Sequence, residues 1–118
     1  MKTPAIVTKQ SLQQMLNDAS FEKQQHIIGR AVVALFNRQT ESEKNANSTE
    51  VNNNVGFTHA DSRGGSMTAK SYMKRHGLQD WQVVQWTRKQ KNGFARICKY
   101  HTQLNEIAIA KVQKQLPL

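Results

Sequence analysis

The sequence has one cysteine, two prolines and no long apolar run, and each scarcity removes a class of protein. With Cys98 alone, an internal disulfide and a cysteine-based zinc site are excluded. No stretch approaches the roughly 20 apolar residues of a membrane span. The opening MKTPAIVTKQ lacks the apolar centre of a signal peptide, so residence in the cytoplasm, away from membranes, is expected. Acids are also scarce, but only in one half. Residues 1–61 carry six Lys/Arg against six Asp/Glu, whereas residues 62–118 carry eleven against Asp80 and Glu106 alone. The basic half therefore lacks the clustered carboxylates of a two-metal nuclease, and the chain reads as non-enzymatic.

What is present is a charge asymmetry. The whole net charge of +9 falls in the second half. A neutral half joined to a basic half reads as a scaffold carrying a basic surface, and the common cellular partner of such a surface is nucleic acid. At 118 residues and 37% apolar content, the chain supports one domain with a modest core and a large polar surface.

Periodicity predicts an all-α fold of about five helices. Residues 1–8 read as a loose lead-in, followed by a short helix with Leu12, Met15 and Leu16 at helical spacing. Ser20 is a suitable N-cap for a second helix, whose stripe runs through Ile27, Ile28, Ala31, Val32, Leu35 and Phe36. Gly29 within it marks a close helix contact. Asn45–Asn54 reads as an exposed polar loop, and Val55-Gly56-Phe57 returns the chain to the core. A third helix is expected from about Ala60 to His76, with Thr58 and Asp61 imitating a capping box, Ala69, Tyr72 and Met73 inward, and Gly77 as the stop. Asp80 is placed to cap a short helix over Trp81–Arg88. The last helix is expected over Gly93–Lys114, because Phe94, Ile97, His101, Leu104 and Ala108 recur at steps of three and four. Leu35 and Leu104 are expected to be buried. The alternative is an α+β fold with a hairpin around Asn92-Gly93, a strong turn signal.

The candidate site is a set of cations: Arg63, Lys70, Lys74 and Arg75 from the third helix, and Arg88, Lys89, Lys91, Arg96 and Lys99 from the tract that follows. Such residues neutralise phosphates and release counterions. Arg96 and Lys99 stand three apart, and Lys89 and Lys91 would lie at the start of the last helix, where free amides attract phosphate. Trp81, Trp86, Phe94 and Tyr100 read first as core, with stacking on unpaired bases as the alternative. Ser62-Arg63-Gly64-Gly65-Ser66 lacks the ending of a phosphate-binding P-loop and reads as a flexible turn. His26, His59, His76 and His101 form no i, i+4 pair with each other or with Cys98, and His101, three residues after Cys98, reads as packing, so no metal and no cofactor are expected.

Four strings carry a resemblance: Ala34-Leu35-Phe36-Asn37-Arg38-Gln39-Thr40; Asn54-Val55-Gly56-Phe57 with Asp61; Met67-Thr68-Ala69-Lys70; and Asn92 to His101 followed by Gln103-Leu104-Asn105. Over roughly residues 30–108 the chain resembles an uncharacterised family of small phage, prophage and plasmid proteins. That resemblance implies a mobile element in a bacterial host, and it assigns no functional residues. It leaves two roles open. One is a nucleic-acid-binding protein contacting phosphate backbone, DNA before RNA. The other is an inhibitor that docks on an acidic host protein complex, such as an anti-CRISPR or other anti-defence factor.

Overall fold

Thr8 opens the first helix, α1 (Lys9–Asp18), in a computed structural model that describes residues 7–46 and 56–115. The Thr8 hydroxyl accepts the Ser11 amide at 3.0 Å and the Ser11 hydroxyl accepts the Thr8 amide at 2.8 Å. This reciprocal cap satisfies two donors that helix geometry leaves orphaned. Val7 is held as well: it donates to Asn105 Oδ1 at 2.7 Å and accepts from Asn105 Nδ2 at 2.6 Å. Of the lead-in expected to be loose over 1–8, Val7 and Thr8 are therefore fixed, and residues 1–6 lie outside the described residues. Leu12 and Leu16 enter the core, while Met15 stays exposed.

The second helix, α2 (Phe21–Ala46), starts where the Ser20 hydroxyl accepts the Lys23 amide at 3.2 Å. Its buried line is Ile28, Val32 and Leu35, with Ile27, Ala31 and Phe36 packed beside it. Asn45 and Ala46 still belong to α2, and the rest of the Asn-rich segment, residues 47–54, lies outside the described residues.

The main partner of α2 is α3 (His59–Arg75). A β-carbon at Gly29 would overlap the Tyr72 ring, and one at Gly65 would overlap the Phe57 ring, so both glycines permit close approach. Ser62–Ser66 is thus a stretch of α3 packed on Phe57, not a flexible turn. The inner face of α3 is Asp61, Gly65, Thr68 and Ala69, whereas Met73 is exposed, because it lies a quarter-turn off that line. The helix stops at His76, which takes the left-handed conformation (φ 57°, ψ 28°) and donates its amide to the Tyr72 carbonyl at 2.7 Å. Gly77 was the expected stop; His76 fills that role and tolerates the left-handed region better than most side chains.

A short helix, α4 (Asp80–Thr87), follows, with Gln79 rather than Asp80 at the N-cap position. Val83 and Trp86 are buried, but Trp81 is 53% exposed, so only one of the two tryptophans is core. The chain then reverses at Gln90–Gly93. Gln90 donates to the Phe94 carbonyl at 2.8 Å and Arg96 to the Arg88 carbonyl at 3.0 Å, around a single bridge between Lys89 and Ala95. The Asn92-Gly93 turn signal is real, yet it yields one bridge and no strand among the described residues.

The expected terminal helix is split. Arg96–Tyr100 forms a 3-10 helix, and α5 (His101–Gln115) continues from it. The cause is local. The amides of Ala95 and Arg96 are already bound to Gln13 Oε1 (2.7 Å) and to Arg88, and Cys98 donates to Ala95 at 2.9 Å, the tighter i to i+3 pattern. Ile97, Cys98 and Tyr100 are buried by this turn, while Leu104 is only half-buried, one step out from the centre. The result is an all-α domain of five α-helices among the described residues.

Candidate functional site

Three side chains meet at a buried carboxylate. Asp61, in the first turn of α3, is 4% exposed. Its Oδ2 accepts the Tyr100 hydroxyl at 2.6 Å and lies 2.6 Å from Lys99 Nζ; its Oδ1 is 3.8 Å from Arg96 Nε. The capping box expected of Thr58 and Asp61 is therefore not formed: Thr58 makes no side-chain cap, and Asp61 turns inward. The Tyr100 hydroxyl also accepts the Thr58 amide at 3.1 Å. Burial, followed by its bond to Asp61, pushes the Tyr100 phenol up to about 12. Burial also pushes the Cys98 thiol up, which suits a packed cysteine better than a nucleophile.

Aromatic rings support this seam. Phe57, Trp86 and Tyr100 pack with centroids 5.7, 5.9 and 6.5 Å apart. The Arg96 guanidinium lies 6.0 Å from the Trp86 centroid and the Lys99 ammonium 5.4 Å from that of Tyr100. Arg96 Nε is buried without a hydrogen-bond partner, so the ring face and the carboxylate at 3.8 Å are its compensation.

The nine cations singled out from the sequence fall into three groups. Arg63, Lys70 and Lys74 form one line along the solvent face of α3, with exposed Met67 between them; Arg75 is exposed in the last turn. Their positions at i, i+7 and i+11 place them on one face. Lys70 Nζ also lies 5.7 Å from the Phe36 centroid. Arg88, Lys89 and Lys91 are exposed on and beside the turn. Arg96 and Lys99 sit on Asp61. The phosphate-binding amides expected behind Lys89 and Lys91 are absent, because the 3-10 helix there has its first donors already occupied.

The sequence placed Asp61 in a helix cap, and its role as a buried acid escaped because its partners lie 35 to 39 positions away, with no local pattern to join them. Gln13, whose side chain receives the Ala95 amide, and Asn105, which clasps Val7, were missed for the same reason. Elsewhere, a groove of about 680 Å³ runs between α2, the end of α3 and α5; Arg30, Arg38, His76, Glu41, Glu106 and Lys111 give it mixed charge. Arg38 bridges it to Glu106 at 2.8 Å. Among the described residues no cluster of His, Cys, Asp and Glu could hold a metal, and no helix is long and apolar enough to cross a membrane.

No protein-family model matches the chain, and neither does any curated protein or solved structure.

Proposed function

We propose that this is a non-enzymatic nucleic-acid-binding protein, of a mobile element in the bacterial cytoplasm, that grips the phosphate backbone. One observation carries the reading. Arg63, Lys70, Lys74, Arg75, Arg88, Lys89 and Lys91 are exposed, and none of them pairs with a carboxylate among the described residues. Asp61, on the same helix as the first group, is engaged inside the fold by Arg96 and Lys99. Excess cations without acids interspersed repel one another unless a polyanion neutralises them. No side-chain arrangement among the described residues is suited to reading base edges, so binding is positional and independent of sequence.

A titration against nucleic acid at several salt concentrations tests this. If about five phosphates are neutralised, log K falls against log salt with a slope near −4 to −5. Reversing Arg88, Lys89 and Lys91 to Glu lowers the affinity for all sequences alike and flattens that slope by about 2 to 3. Reversing Lys9 and Lys23 in the neutral half changes little and controls for bulk charge. An inhibitor docking on an acidic host complex would show no salt-dependent affinity for free nucleic acid, and that result would replace this reading.

A further inference from the structure

The two tryptophans of α4 are five residues apart and are used in opposite ways. Trp86 is buried, and its indole N–H points to Thr68 Oγ1 at 3.4 Å. Trp81 keeps 53% of its surface in water. Its indole N–H donates to Gln79 Oε1 at 2.7 Å, so the polar edge of the ring is occupied while its apolar body stays outside. Large aromatic residues are enriched where a partner covers them, and a half-exposed indole with its polar edge already occupied is suited to such a place.

Its surroundings specify the partner. Val84 at i+3 is exposed on the same side of α4, and Arg88 at i+7 stands roughly 10 Å further along the helix. Lys89 and Lys91 extend the line into the turn, and residues 81–100 contain no acid. Asp80 is exposed at the start of α4, a little more than a quarter-turn from Trp81. It disfavours phosphate at that end, so an anionic strand runs from the ring toward Arg88. A flat aromatic platform followed by a row of cations, without donors arranged for base edges, matches an unpaired strand: bases offer the π-face and the backbone offers the charge. In a duplex those faces are covered by stacking.

We infer that Trp81 stacks on an unpaired base and directs this protein to single-stranded nucleic acid, with Arg88, Lys89 and Lys91 holding the adjoining phosphates. This rests on the nucleic-acid reading above and narrows it. The experiment titrates the full chain with an oligothymidylate, an oligouridylate and a DNA duplex of equal length, following tryptophan emission and the anisotropy of a labelled probe. At least one single strand is expected to quench Trp81 emission and to bind more tightly than the duplex. Trp81→Ala should weaken that single strand on the order of tenfold and leave the duplex unchanged. Trp81→Phe should recover part of the loss. Melting curves should match wild type, because the side chain is exposed. Salt-dependent binding to all three probes that Trp81→Ala does not alter would overturn the stacking inference and leave the backbone-binding reading standing. Absence of salt-dependent binding to any probe would overturn both.

Discussion

Arg96 and Lys99 converge on a buried carboxylate, while Arg88, Lys89 and Lys91, a few residues earlier, meet no acid among the described residues. On composition alone the two groups are one basic tract. In the fold they do different work. The first closes a seam between the start of α3 and the 3-10 helix, where burying Asp61 is tolerable because a phenol, an ammonium and a guanidinium surround it. The second group stands in water and is available to a partner. Net charge therefore overstates the binding surface: cations that neutralise an internal acid stabilise the fold before they serve a ligand.

The sharpest way to break this contrast is Asp61→Ala. It leaves Arg96, Lys99 and the Tyr100 hydroxyl facing one another without the carboxylate that joins them. The expected loss is about 2–3 kcal/mol, since each cation is already part-exposed and recovers some hydration. Denaturant unfolding reads it directly, and a loss near zero would mean that the seam is ornamental. Simple electrostatics makes the opposite forecast for polyanion affinity, because the substitution removes a negative charge.

Tyr100→Phe is the next step down, at about 1–2 kcal/mol: it removes the bond to Asp61, which keeps Lys99, and the acceptor of the Thr58 amide, which can turn to water. It also has a pH signature. The phenol sits at about 12 in the folded protein against an ordinary 10.0. Below pH 10 both states keep the proton. Between 10 and about 12 the unfolded chain releases it while the fold retains it, so stability is fully present below that window and falls as pH rises through it. A spectrophotometric titration should show one tyrosine ionising well above the ordinary range, and Tyr100→Phe should abolish that step.

The smallest effect on stability belongs to the turn. Reversing Arg88, Lys89 and Lys91 together should change unfolding free energy by no more than about 0.5 kcal/mol, even as it removes affinity. A large loss there would show that the turn cations are structural too.

Much of the frame was legible. The 3–4 spacing of Ile28, Val32 and Leu35 places the buried face of α2 directly, since one helical face must meet the core. Gly29 announced a close contact and Tyr72 supplies it. The site was less legible. In α4, Trp81, Val83, Val84 and Trp86 surround the helix with apolar groups, so no periodicity distinguishes the buried tryptophan from the exposed one. Helical spacing continues through Arg96–Tyr100, yet the amides there are claimed by Gln13 and Arg88, and that competition is invisible in a local window.

The clasp between Val7 and Asn105 has a consequence for how the molecule is made. Helix α1 is ten residues long, too short to persist alone in water. Gln24 of α2 holds its last turn, donating to the Leu16 carbonyl at 2.7 Å, but its distant anchors are Asn105, through Val7, and Ala95, through Gln13. Both emerge from the ribosome long after α1 does, whereas α2 and α3 can pair as soon as Tyr72 is available to Gly29. Of the described helices, the one synthesised first is thus the one that settles last. Pulsed hydrogen exchange during refolding should show amides of α2 and α3 protected ahead of those of α1, and protection of α1 before the rest would refute that order.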